Sequence, residues 1–173
     1  PFLWICFVAC NKVTPSKEEA EFLKSANSTV HANSSTAVTT YPLPIGLPNQ
    51  YKSTAFTVSA GGNPVSLYNA GNNSWGNSVS YGYFDFSGTV SISVTPSSGF
   101  SSFKLVPSSL GITGVRSGNT ITFTLSQPTN ISLVLDNDYQ GKVLHLFAQE
   151  PESDIPSATD PNVLYYGPGY YDL

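Results

Sequence analysis

The feature that most constrains this chain is a strict two-residue alternation of apolar and hydroxylated side chains in short runs. In TVSISVTP, residues 89–96, Val90, Ile92 and Val94 alternate with Ser91 and Ser93. NTITFTLS at 119–126 repeats the pattern with Ile121, Phe123 and Leu125, and NISLVLDN at 130–137 gives Ile131, Leu133 and Leu135 at the same spacing, with Val134 in place of one hydroxyl. TAFTVSA at 54–60 sets Phe56 and Val58 against Thr57 and Ser59. Successive side chains of a strand point to opposite faces, so this period means one buried face and one polar face. Such runs recur every roughly ten to fifteen residues with no helical pattern between them, which predicts an all-β, antiparallel, immunoglobulin-like sandwich. The 14 glycines and 13 prolines are too many for long helices.

Two runs depart from simple alternation. KVLHLFAQ places Leu144 and Leu146 on one face, but Val143, His145 and Phe147 on the other. A strand apolar on both sides is buried on two sides or covers a junction. SYGYFDFSG sets Tyr81, Tyr83 and Asp85 opposite Phe84 and Phe86. Between TAFTVSA and NPVSLYNAG, the Gly61-Gly62-Asn63 step reads as a hairpin turn.

The N-terminus reads as an address. PFLWICFVAC holds an apolar run far too short to cross a bilayer, which takes ~20 residues. It ends Phe7-Val8-Ala9-Cys10, then polar Asn11-Lys12, and so resembles the tail of a bacterial lipoprotein signal peptide with Cys10 as the lipidated residue. A buried N-terminal strand and a Cys6–Cys10 disulfide are the structural alternatives. Residues 16–26, SKEEAEFLKSA, have capping-box spacing between Ser16 and Glu19 and fit a short, fraying helix. The Ser/Thr/Asn tract after it buries too little to offset the entropy of ordering. The expected organisation is a signal segment at 1–10, a flexible tether at 11–36, a sandwich at 37–150, and a linker with lead-in strands at 151–173. The expected location is extracytoplasmic: a bacterial outer-membrane or cell-surface lipoprotein, or a secreted protein, touching membrane only through its lipid.

The residues offer little chemistry. Seven Lys and Arg against 11 Asp and Glu give a net charge of −4, which excludes a phosphate-binding surface and with it nucleic acid. No cluster has metal-ligand spacing, and no cofactor motif, nucleophile elbow or phosphate loop occurs. His31 falls in the tether and reads as solvated; His145 reads as a structural imidazole. Asp85, Asp136 and Asp138 are carboxylates that a small glycosidase could use only if two faced one another. DNDYQG at 136–141 reads as a hairpin turn rather than a calcium loop. Sugars stack their C–H faces on flat rings, and Trp75, in the polar loop NAGNNSWGNS, is flanked by Tyr68, Tyr81 and Tyr83. These four are the candidate carbohydrate platform; the alternative is that Trp75 plugs one end of the sandwich.

Taken in order, SYGYFDFSGTVSISV, FKLVPSSLGI, GNTITFTL, GKVLHLFAQ and DPNVLYYGPGYYDL resemble the N-terminal β-sandwich of dextranase-type glycoside hydrolases (family forty-nine) and their polygalacturonase-like relatives. The resemblance covers about residues 41–173. It implies an accessory domain ahead of a right-handed parallel β-helix that carries the catalytic aspartates, so no catalytic residue falls in this sequence. The partner it implies is that β-helix domain of the same chain, with a polysaccharide as substrate. The sequence contains no Met and ends on VLYYGPGYYDL, which reads as a lead-in to missing strands. Tyr165, Tyr166, Tyr170 and Tyr171 are then the expected domain-junction residues. A stand-alone carbohydrate-binding or adhesive surface domain is the alternative.

Overall fold

The computed structural model describes residues 36–72, 78–157 and 159–164. The chain divides into Pro1–Asn33 and Ser34–Leu173, and every described residue belongs to the second unit. The expected lipidation residue Cys10, the expected helix at 16–26, His31, Trp75 and the expected junction tyrosines Tyr165, Tyr166, Tyr170 and Tyr171 all lie outside the described residues.

The described strands are β1 (Val38–Thr40), β2 (Phe56–Ala60), β3 (Asn63–Val65), β4 (Leu67–Asn72), β5 (Ser78–Phe86), β6 (Val90–Pro96), β7 (Phe103–Val106), β8 (Val115–Ser117), β9 (Thr120–Leu125), β10 (Thr129–Leu135) and β11 (Val143–Gln149). They form two sheets. Sheet A has the order β1-β5-β11-β10-β7, with β4 also paired to β5; sheet B has the order β3-β2-β6-β9-β8. The single-turn helices Asn49–Tyr51 and Ser108–Leu110 lie between strands. After Gln149 the described residues form no strand, and Val163 and Leu164, expected to open one, are in none.

Each alternating run becomes a strand with its apolar set inward. Val90, Ile92 and Val94 of β6, Ile121, Phe123 and Leu125 of β9, and Phe56 and Val58 of β2 form the inner face of sheet B. They meet Phe84 and Phe86 of β5, Ile131, Leu133 and Leu135 of β10, and Leu144, Leu146 and Ala148 of β11. All belong to one continuous core, as two packed sheets require. The outer face of sheet B keeps the hydroxyls: Thr57 stands opposite Thr95, Ser59 opposite Ser93, and Ser93 opposite Thr122.

The β2–β3 hairpin turns on Gly61 (φ 56°) and Gly62 (φ 84°). Positive φ at both central residues makes it a two-residue turn twisted to match its strands.

One pairing departs from the all-antiparallel expectation. β11 is antiparallel to β10 but parallel to β5, with Leu144 opposite Ser80 and Ala148 opposite Phe84. It thus occupies the middle of sheet A, between β5 and β10. Its inner residues Leu144, Leu146 and Ala148 are fully buried. On its outer side Val143 is also buried, and so is its cross-strand partner Val134.

Candidate functional site

The outer face of sheet A differs from that of sheet B in carrying rings instead of hydroxyls. Tyr81 and Tyr83 are two residues apart on β5 and therefore share a face. Tyr68 on β4 is registered directly opposite Tyr81, and Phe147 on β11 directly opposite Tyr83. The ring of Tyr68 lies nearly parallel to both neighbours: its centroid is 5.2 Å from Tyr81 and 5.9 Å from Tyr83. Tyr41, just beyond β1, extends the row at 5.4 Å from Tyr83, and Phe147 meets Tyr81 edge-on at 6.5 Å. Such offset and edge contacts are favourable ring geometries.

The structure brings three of the proposed platform residues, Tyr68, Tyr81 and Tyr83, onto one surface, but not in equal roles. Tyr68 is only 7% exposed. Its hydroxyl shares a 3.4 Å hydrogen bond with that of Tyr83, and burial, followed by that bond, raises its pKa. Tyr68 is a buried support beside the row rather than part of its exposed surface. The most exposed rings of the row are Tyr41, Tyr83 and Phe147, at 36%, 38% and 40%, with Tyr81 half-buried. Tyr41 and Phe147 were not among the expected platform residues. The signal for Phe147 was present in the two-sided β11 pattern. That for Tyr41 was not, because its contact with Tyr83 depends on β1 pairing with a strand more than forty residues away.

Polar groups adjoin the rings. Tyr41 donates its hydroxyl hydrogen bond to Asp85 Oδ2. That bond, then burial and the charges of Asp85 and Glu152, push the Tyr41 pKa up to about 12. Gln149 Nε2 donates to Asn130 Oδ1 at 3.0 Å. His145 shares a 2.6 Å bond with Ser132 Oγ through Nδ1, and burial lowers its pKa. This fits a satisfied structural imidazole.

The carboxylates do not assemble into a hydrolytic pair. Asp85 stands opposite Gln149 at one end of β11. Asp136 and Asp138 occupy the turn before the other end, so the length of β11, roughly 20 Å, separates them. Both turn carboxylates are engaged by the backbone. Asp136 Oδ1 accepts from the amides of Ser101 at 2.7 Å and Ser102 at 3.0 Å, and its Oδ2 from Lys142 Nζ at 2.9 Å. Asp138 Oδ1 accepts from the amides of Gln140 and Gly141. With Asp136 and Asn137 at positive φ, DNDYQG is a turn tied to the neighbouring loop. Among the described residues no group of three His, Cys, Asp or Glu could hold a metal ion.

These bonds make Asp136 an acid-sensitive tie. The amide of Ser102, then Lys142 and the amide of Ser101, lower its pKa from 3.8 to about 2. A lowered folded-state pKa contributes stability above the ordinary carboxylate value that is lost as pH falls through the folded value. Melting temperature should therefore fall more steeply between pH 4 and pH 2 in the native chain than in Asp136→Asn. Parallel melting curves across that window would show that the tie contributes nothing.

Comparison with known proteins gives a fold likeness. No protein-family model matches the chain, and no curated protein matches its sequence. Among solved structures, Dex49A from Penicillium minioluteum is similar, with a TM-score of 0.53 at 14% identity. The match covers 74% of this chain and 35% of Dex49A. The chain therefore shares its fold with about a third of that longer protein.

Proposed function

We propose that this chain is a non-catalytic accessory sandwich of a polysaccharide-degrading glycoside hydrolase, whose hydrolytic carboxylates lie on a β-helix domain of the same protein. The observation that carries this reading is the fold shared with part, and only part, of Dex49A. The ordered segments that resemble dextranase-type enzymes point the same way. The wide separation of Asp85 from Asp136 and Asp138 supports a non-catalytic role, since glycoside hydrolysis needs two carboxylates within about 10 Å. The Phe7-Val8-Ala9-Cys10 box supports export and acylation at Cys10 as the mode of anchoring. A single acyl chain holds a membrane only marginally, so the anchor would carry more than one.

The purified chain is expected to release no reducing sugar from dextran or polygalacturonate, and the reading frame beyond Leu173 to continue into short coils punctuated by Gly and Asn. Turnover by this chain alone, or a stop codon directly after Leu173, would overturn the accessory reading. A stand-alone carbohydrate-binding domain is the second reading. The exposed rings of Tyr41, Tyr83 and Phe147 favour it, and the stop codon would select it.

A further inference from the structure

We infer that the outer face of sheet A, at the junction of β5, β11 and β10, is a binding site for an uncharged polysaccharide, built from Tyr41, Tyr83, Phe147, Asp85, Gln149 and Asn130.

The site follows from register. Tyr83 stands opposite Phe147, and Phe147 opposite Asn130, in one row across three strands. Asp85 stands opposite Gln149 in the next outward row. Directly opposed residues point to the same side of a sheet, so these five side chains share one surface, and Tyr41 joins them through its contacts with Tyr83 and Asp85. The footprint is roughly 10 Å across the three strands and about 7 Å along them. That suits a short stretch of glycan.

The composition of this surface matches the two-sided chemistry of a sugar. Three partly exposed rings offer apolar area to the C–H groups of a sugar, and they lie beside groups that can both donate and accept. Asp85 uses Oδ2 for Tyr41, and its Oδ1 has no partner among the described residues. The Gln149–Asn130 bond uses one donor and one acceptor. An acceptor remains on Gln149 Oε1 and donors remain on Asn130 Nδ2. Buried Tyr68 stacks against Tyr83 and Tyr81 from the neighbouring strand, so the rings are held before any ligand arrives. Preorganised rings lose little entropy on binding.

Charge sets the class of ligand. None of the six positions is Lys or Arg, while Asp85 lies within the surface and Glu152 is near enough for its charge to act on Tyr41. A uronate or sulfated chain would meet the like charge of Asp85 here, and Lys52, opposite Tyr68 on the side of β5 away from β11, lies outside the six positions, whereas a neutral chain meets no repulsion. Sheet B offers no equivalent: its outward rows are Ser and Thr with Pro64 and Val115 at the edges, and no aromatic ring stands in them.

This proposal rests on the polysaccharide-related reading above but fails separately from it, because binding and hydrolysis are measured independently. The test is retardation of the purified chain in native gels containing dextran, laminarin or xylan, and in gels containing polygalacturonate or alginate. Retardation by at least one neutral polymer and by neither acidic one is expected. Tyr83→Ala and Phe147→Ala should each weaken the neutral interaction about ten-fold, the loss of one ring's stacking. Thr57→Ala on sheet B should leave it unchanged, and melting curves will verify that each variant is folded. Should Tyr83→Ala unfold, Tyr83→Ser and Phe147→Ala carry the same comparison. Retardation by no polymer would overturn the proposal and leave this face to a protein neighbour, with the accessory reading intact. Equal retardation by acidic polymers, or neutral binding unchanged in folded ring variants, would overturn it as well.

Discussion

Replacing Phe84 by alanine is expected to lower the free energy of unfolding by about 3–5 kcal/mol, while Phe147→Ala should cost about 1 kcal/mol or less. The two phenylalanines sit on neighbouring strands of sheet A, with Phe84 on β5 opposite Ala148, the residue after Phe147 on β11. One-residue displacement puts them on opposite faces. Phe84 is wholly buried between the sheets and packs on Phe86 with centroids 6.0 Å apart. Its removal exchanges a full aromatic burial for a cavity that the two sheets can close only partly. Phe147 is 40% exposed, so truncation there removes contact without opening the core. Urea unfolding of both variants measures the difference directly. Equal costs would mean that the sandwich is inside out at β11. The contrast also bears on the proposed glycan site, since Phe147→Ala must stay folded for its binding loss to be interpretable.

Gly82→Ala should destabilise the chain by about 1–3 kcal/mol, although Gly82 lies in regular strand where alanine is otherwise tolerated. The reason is space. A Cβ at Gly82 would come 2.7 Å from Leu67 Cδ2, 3.1 Å from the carbonyl oxygen of Ser66 and 3.2 Å from Val65 Cγ1. Leu67 is the cross-strand partner of Gly82 and folds its side chain over the gap that the missing Cβ leaves. Val65 ends β3 in sheet B and Leu67 begins β4 in sheet A, so the chain changes sheets at Ser66, directly over Gly82. Leu67 can give way, but the Ser66 backbone cannot without moving this crossover. Combining Gly82→Ala with Leu67→Ala should therefore cost less than the sum of the two by at least ~0.5 kcal/mol, because the second change relieves the closest contact. Strict additivity in a double-mutant cycle would place the clash elsewhere.

The strands that built the core were legible because their period is a local property. Residues such as Ile92, Phe123 and Leu125 alternate with hydroxyls within seven or eight letters, and no distant contact is needed to tell which face is apolar. The Gly61-Gly62 turn was legible for the same reason: few other residue pairs accept two positive φ angles in succession. The short edge strands β1, β7 and β8 were not, since three or four residues carry too little alternation and are held as strands by the neighbours they pair with. β11 was legible in part. Its buried inner set Leu144, Leu146 and Ala148 was legible, but its outer apolar set proved mixed, with Val143 buried and Phe147 exposed, and nothing in it foretold that it would lie parallel to β5.

The candidate site divides in the same way. That Tyr81 and Tyr83 share a face with Asp85, opposite Phe84 and Phe86, follows from spacing alone. Which of the tyrosines would support the surface and which would present it does not. Tyr68 became the buried support because β4 lies beside β5 with Tyr68 against Tyr81. Tyr41 and Phe147 became the exposed rings because β1 and β11 flank the other parts of β5. The sequence by itself determined an all-β chain, its buried set and the facing of each strand, because side-chain alternation is built into the backbone of every strand. Only the tertiary structure decided which strands became neighbours, and so assembled six side chains from three strands and an adjoining loop into one surface. Register between segments far apart in the chain is set by the packing of the whole core and is written in no single stretch of it.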